Sequence, residues 1–155
     1  MRNWLKFWRL RRLEKKLLFV SLLLLPLTAL ALRIIGFRRL KTALATLAPL
    51  QETGLPRSTD SLMERAIVTE KIVRVAAWHG FYRSNCLHQS LVLWWLLRWQ
   101  GLASQLRFGV NKDEGKFKAH AWIEILGTPL NESEDVYQRY AAFDFALEPA
   151  KVDCS

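Results

Sequence analysis

From Leu17 to Leu32 the chain carries no charged residue, and its apolar positions fall on every side of a helix drawn through them. Such a segment has to lie in lipid or inside protein. It runs for 16 residues (32−17+1), whereas a spanning helix needs ~20 mostly apolar residues. Extension to Phe37 takes in Arg33, and Pro26 sits mid-run, where proline costs ~3 kcal/mol in an ordinary helix interior. Bases flank both ends, so the positive-inside rule gives no orientation. Ala29-Leu30-Ala31 has the form of a signal-peptide cleavage site, but it lies within the apolar run and follows a long basic region, which disfavours a secretion signal. The pattern predicts membrane association and leaves a crossing unassigned.

Residues 42–77 read as helical, broken by the turn-rich linker Thr53-Gly54-Leu55-Pro56-Arg57-Ser58. Asp60 is a candidate N-cap with Glu64 in the first turn, and Met63, Ala66, Ile67, Ile72, Val73 and Val75 supply a packing face. A second long apolar stretch opens at Ser84-Asn85-Cys86 and closes at Gly101. Ser84 or Asn85 suits an N-cap, and Gly101 suits the position just past a helix end. The period then changes to two. Leu102–Val110 and Phe117–Ile125 read as strands around the polar hairpin loop 111–115. In the second strand Phe117, Ala119, Ala121, Ile123 and Ile125 form the core face, which puts Lys118, His120, Trp122 and Glu124 on the polar face. Gly127-Thr128-Pro129 turns the chain into a short third strand, Pro129-Leu130-Asn131-Glu132.

Composition sharpens this outline. The chain has 155 residues, 51% of them apolar, which suits one domain with an appendage. The net charge of +9 is uneven. Residues 1–41 hold eleven bases and one acid, Glu14, leaving 23−11 = 12 bases and 14−1 = 13 acids beyond. The basic character therefore belongs to the N-terminal arm. Its opening, MRNWLKFWRLRRLEKK, interleaves aromatics with Lys and Arg but forms no clean apolar stripe. It suits an anionic lipid surface, where each base is worth about 1 kcal/mol. No nucleic acid partner is expected, since the near-neutral remainder supplies no second basic face. Two cysteines, Cys86 and Cys154, exclude a disulfide-rich scaffold and read as free thiols in a reducing compartment.

The candidate chemistry lies between residues 84 and 135. A thiol at Cys86, in the first turn of its helix, meets the positive end of the helix dipole, an environment that favours a nucleophilic thiolate. His120, on the polar face of an adjacent strand, suits a general base. Asn131, Glu132 and Asp135 follow on the next segment as groups able to orient the imidazole. Nucleophile, base and orienter in this arrangement support acyl chemistry, with helix N-terminal N–H groups available for an oxyanion. Cys86-Leu87-His88 offers two metal ligands where a closed zinc site needs four, so no metal and no cofactor is expected. His88 reads as a helix-surface residue, and His79 as a loop residue preceding Gly80.

SNCLHQSLVLWWLLRWQG, LRFGVNKDEGKFKAHAWIE and GTPLNESEDVYQRYAAFD, in this order over residues 80–146, resemble the leader-peptidase (B protein) family of lasso peptide biosynthesis, part of the transglutaminase-like, papain-related cysteine enzymes. The resemblance implies an α+β fold. In it an antiparallel sheet packs on the helix bearing the nucleophile, and N-terminal helices precede both. With the charge distribution and the apolar pattern, the chain divides into an arm (1–41), a helical segment (42–79) and a catalytic region (80–155). The resemblance implies a cysteine peptidase that removes the leader from a ribosomally made precursor, with Cys86 as nucleophile and His120 as base. The family usually has Asp in a motif that reads Leu130-Asn131-Glu132 here, so Glu132 ranks first as orienter and Asn131 second. The implied partners are the precursor peptide, a separate leader-recognition protein and an asparagine-synthetase-like, ATP-using cyclase. The implied location is cytoplasmic, at the inner face of the plasma membrane. The alternatives are acyl transfer to an amine at the same site, or a non-catalytic membrane-associated scaffold.

Overall fold

The structure is a computed structural model describing residues 12–48, 58–80, 84–113, 116–133 and 135–143. The first eleven residues of the arm, the linker before Ser58 and Cys154 lie outside the described residues. Helix α1 spans Arg12–Leu47 as two segments joined at Gly36 (φ 77°, ψ 169°). Helix α2 spans Thr59–His79 and α3 Cys86–Trp99. Strands β1 (Gln105–Asp113) and β2 (Lys116–Ile125) form a hairpin. They are followed by β3 (Thr128–Pro129), the single turn α4 (Val136–Arg139) and β4 (Ala141–Phe143). The sheet order is β3-β2-β1-β4, antiparallel throughout, so the α+β architecture expected from the sequence is the one observed.

Helix α3 is the axis of the core. Leu91, Val92, Leu93, Leu96 and Leu97 are all buried, because α1, α2 and the sheet surround it. Leu17, Leu25, Leu40 and Leu44 of α1, Ala66, Ile72, Val73 and Ala76 of α2, and Leu106, Ile123 and Ile125 of the sheet belong to one cluster with it. Each fully buried Leu or Ile contributes about 1.5–3 kcal/mol of transfer free energy. Polar links fix the packing. Arg98 donates to the Ala48 carbonyl beyond the end of α1 (3.1 Å), and Gln100 donates to Thr69 of α2 (2.9 Å). The cations of Lys41 and Arg98 both lie over the Trp94 ring, 5.8 and 5.0 Å from its centroid. The Lys41 pKa is lowered, first by burial and then by the Arg98 charge.

Helix α1 is long and apolar enough to cross a membrane by length and composition. One face is core, and the buried Ser21 and Thr28 donate to the carbonyls of Leu17 and Leu25 within the helix, so neither hydroxyl is orphaned. The other face is exposed.

Several details differ from the sequence reading. Ser58, not Asp60, precedes the first turn of α2. Ile67 and Val75, assigned to its packing face, are exposed, and His79 is its last helical residue, not a loop residue. The turn after β2 falls on Leu126-Gly127, both with positive φ, the backbone of a two-residue hairpin loop. The third strand is shorter than predicted. Just past Pro129 the Leu130 N–H donates to the Ile123 carbonyl of β2 (2.8 Å), and then a side chain takes over the pairing, Asn131 accepting from the Ile123 N–H (2.8 Å).

His88 is a further correction. It is 9% exposed and closes a capping box: its N–H donates to Asn85 Oδ1 (3.1 Å), and its Nδ1 accepts from the Asn85 N–H (3.3 Å). Glu or Gln usually fills this position, which is why the histidine read as a surface residue. Its pKa is lowered, first by burial and then by the Arg33 charge of α1. A proton on Nδ1 would remove the acceptor. Between this lowered value and the ordinary 6.5, the unfolded chain binds a proton that the folded chain does not, so stability falls as pH falls through that window. Urea midpoints will be lower at about pH 5.5 than at about pH 7.5. His88→Gln, which keeps an acceptor without the titration, will shrink that difference.

Candidate active site

Cys86 is the first helical residue of α3, next to the Asn85 cap, and is a partly exposed free thiol. One turn on, and on the same helix face, Ser90 donates to the carbonyl of Ala121 (2.9 Å). That bond docks the start of α3 against β2 beside His120. Among the described residues the Cys86 thiol makes no hydrogen bond, to His120 included, and catalytic contacts often tighten only when substrate binds.

His120 is held on several sides. Its Nε2 lies 2.7 Å from Glu132 Oε1. A carboxylate only accepts, so Nε2 is the nitrogen that donates here, and in the neutral imidazole Nδ1 is the one left to accept, the tautomer a general base needs. The ring stacks on Tyr140 (centroids 5.2 Å apart, interplanar angle 28°) and on Trp122 (6.2 Å, 20°). Glu132 Oε2 accepts from Arg139 (3.3 Å), whose Nε pairs with Asp135 (3.0 Å). The Arg139 guanidinium also lies over the Tyr140 ring, 5.7 Å from its centroid.

Of the three orienting candidates, Glu132 is the one at the imidazole. Asn131 is occupied elsewhere: besides the Ile123 N–H, it reaches Ser90 Oγ from Nδ2 (3.4 Å), so it ties β2, α3 and the 130–132 segment together. Asp135 meets Arg139, not His120.

The face of β2 that carries His120 is not the solvent face that alternation suggested. Trp122 is fully buried and Glu124 is 6% exposed. A carboxylate that deep costs several kcal/mol unless donors surround it. Glu124 has two, Trp122 Nε1 (2.9 Å) and the Tyr137 hydroxyl (2.7 Å), and Arg107 adds an ion pair (3.3 Å). The Tyr137 pKa is raised, first by burial, then by its hydrogen bond to Glu124 and that carboxylate's charge. Tyr137 also meets the Trp122 ring edge-on (6.2 Å, 82°).

Sequence reasoning assigned no role to Arg139, Tyr140, Glu124 or Gly109. Glycine inside the β1 pattern was a usable signal, since an isolated strand glycine marks close approach. Gly109 pairs with His120 across the hairpin. A Cβ there would lie 2.8 Å from Tyr140 Cβ and 3.0 Å from the Trp122 ring. The backbone paired with His120 therefore has to stay bare for Tyr140 and Trp122 to pack on it.

The family described as the transglutaminase-like superfamily matches residues 24–143, which takes in α3, His120, Glu132 and most of α1. The chain belongs to the transglutaminase-like superfamily. No curated protein and no solved structure matches it. The superfamily includes cysteine peptidases and acyl transferases. Among the described residues no cluster of His, Cys, Asp and Glu is arranged to hold a metal ion.

Gly109→Ala will test the packing beneath His120. The added methyl must displace Tyr140 or Trp122, at the 1–3 kcal/mol typical of overpacking. Urea denaturation will show lower stability, and near-ultraviolet circular dichroism will show a changed aromatic signal.

Proposed function

We propose that this protein is the cysteine peptidase that removes the leader from a ribosomally synthesised lasso peptide precursor, working in the cytoplasm at the inner face of the plasma membrane. The observation that carries the reading is the His120–Glu132 contact of 2.7 Å on the strand docked against the start of α3, where Cys86 stands. The three sequence segments that resemble the lasso B proteins supply the substrate class.

In this reading Cys86 Sγ, as thiolate, attacks the carbonyl carbon of the bond joining leader to core. The C–N bond breaks, and the imidazolium of His120 gives its proton to the departing amine of the core peptide. The leader is left as a thioester on Sγ. Water, deprotonated by His120 Nδ1, then attacks the thioester carbonyl, and the thiolate leaves with the leader released as an acid. Glu132 holds the tautomer and stabilises the imidazolium at each stage. A separate leader-recognition protein presents the precursor, and an asparagine-synthetase-like cyclase consumes the freed core together with ATP. An amine in place of water would give acyl transfer at the same site.

Mass spectrometry of the precursor incubated with this protein and the leader-recognition protein will show free leader and free core. Cys86→Ala will show neither. Glu132→Gln will lower kcat by roughly a hundredfold or more, as loss of the carboxylate behind a catalytic histidine does. A leader carrying an added amine instead of a free carboxylate would assign the site to acyl transfer. Release undiminished by Cys86→Ala would remove Cys86 as nucleophile and leave the scaffold role.

A further inference from the structure

Helix α1 has two apolar faces with different fates. Leu17, Ser21, Leu25 and Thr28 are buried. Phe19, Leu23, Leu27, Leu30 and Ile34 are exposed, Phe19 and Ile34 at 71%. The spacing of this second set, 4, 4, 3 and 4 residues, is that of a single stripe along a helix. At 1.5 Å per residue it is roughly 22 Å long. Five large apolar side chains in one exposed line are a contact surface, not scattered surface residues. Exposed bases stand at both ends: Arg12 and Lys16 before it, and Arg33, Arg38 and Arg39 beside its end and after Gly36.

We propose that this stripe embeds α1 lengthwise in the interface of an anionic bilayer, with the stripe in the acyl boundary, the bases at the headgroups and the domain above. The inference rests on the membrane placement proposed above and not on the peptidase chemistry. Charge selects the occupant. An apolar stripe closed at both ends by cations fits anionic headgroups, whereas two copies meeting along it would bring like charges together. The packing excludes a crossing. Helix α1 shares its core face with α2 and α3, so sinking it through the hydrocarbon would carry the charges of α2, among them Glu64, Arg65, Lys71 and Arg74, into a medium that penalises each heavily. A helix lying in the interface pays no such penalty, because only one face leaves water.

The end of the stripe lies near the candidate site. Arg33 acts electrostatically on His88 in the first turn of α3, and Phe37 meets Phe108 of β1 edge-on (5.4 Å). The embedded helix therefore holds the start of α3 close to the lipid surface.

The test is co-flotation of the full chain with vesicles of phosphatidylcholine alone or mixed with phosphatidylglycerol. It is repeated with Leu23→Gln/Leu30→Gln, two exposed positions whose change leaves the core intact, as circular dichroism will verify. The expected result is flotation with the phosphatidylglycerol vesicles only, reduced about tenfold or more in the double variant and weakened by salt. Equal flotation of wild type and variant would overturn the stripe as the contact. So would absence of flotation, including the case in which sedimentation shows a dimer that the variant abolishes. Retention of the protein in cell membranes after alkaline extraction would overturn the in-plane placement in favour of a crossing. Precursor cleavage without vesicles is read in parallel. If it persists in the variant while flotation is lost, the two readings stand apart, and failure of cleavage alone leaves the lipid contact untouched.

Discussion

A carboxylate buried to 6% exposure has to be met by donors, and where Glu124 finds them determines how the second half of the protein is arranged. One donor, Trp122, is on its own strand, and an ion-pair partner, Arg107, is on the neighbouring strand. The other donor, Tyr137, comes from α4, 13 residues onward. That last bond draws the returning chain across the face of β2 that holds His120. Glu132, Arg139 and Tyr140 all ride on the returning segment. Without the Glu124–Tyr137 bond, the buried carboxylate would lose one of its donors and the imidazole would lose the pin that keeps its partners overhead. The orienting carboxylate and the stacking ring are thus held by a buried acid that takes no part in the proposed chemistry.

The same segment explains how the imidazole is isolated. Gly109 leaves room for Tyr140 and Trp122 to close on the backbone opposite His120. The stacked rings restrict the imidazole while its Nε2 edge points to Glu132. Arg139 binds the second oxygen of Glu132, leaving Oε1 for the imidazole, and Asp135 in turn fixes Arg139 from the exposed side. The Asp135 carboxyl is kept below the usual range, first by its hydrogen bond to Ser133 and also by the Arg139 charge. The contact at 2.7 Å is therefore the inner end of a chain of charges reaching outward to solvent.

Local physics made much of this legible from the sequence. The helix from Cys86 to Trp99, its Asn85 cap and the terminating Gly101 (φ 74°) follow from rules that need only neighbouring residues. The alternation in β2 correctly grouped His120, Trp122 and Glu124 on one face. It could not reveal that this face is covered, because the cover comes from residues 130–140 and depends on a bond to a distant tyrosine. Glu132 was reachable by counting along the chain, whereas Arg139 and Tyr140 were not, since their places depend on the return of α4 to β2 through the Tyr137–Glu124 bond. His88 was misread for a different reason: its capping bonds are local, but histidine is an unusual residue in that position.

The run from Leu17 to Leu32 posed a choice between lipid and protein, and the fold resolves it by giving one face to the protein and leaving the other exposed. Gly36 makes this possible. At φ 77° it takes a backbone conformation that costs glycine little and other residues more, and a side chain there would meet only open space. The residue is therefore selected by the backbone turn and not by packing. The break lets the second segment return Leu40 and Leu44 to the core while the first segment keeps Phe19 to Ile34 facing outward. A helix continuing straight through residue 36 would have to place both segments along one line. Either Leu40 and Leu44 would leave α3, or the outward stripe would be turned away. A single glycine thus sets where the apolar stripe ends, two residues beyond Ile34 and one before the Phe37–Phe108 contact with the sheet. The outward face of α1 and the edge of the candidate site meet at that point.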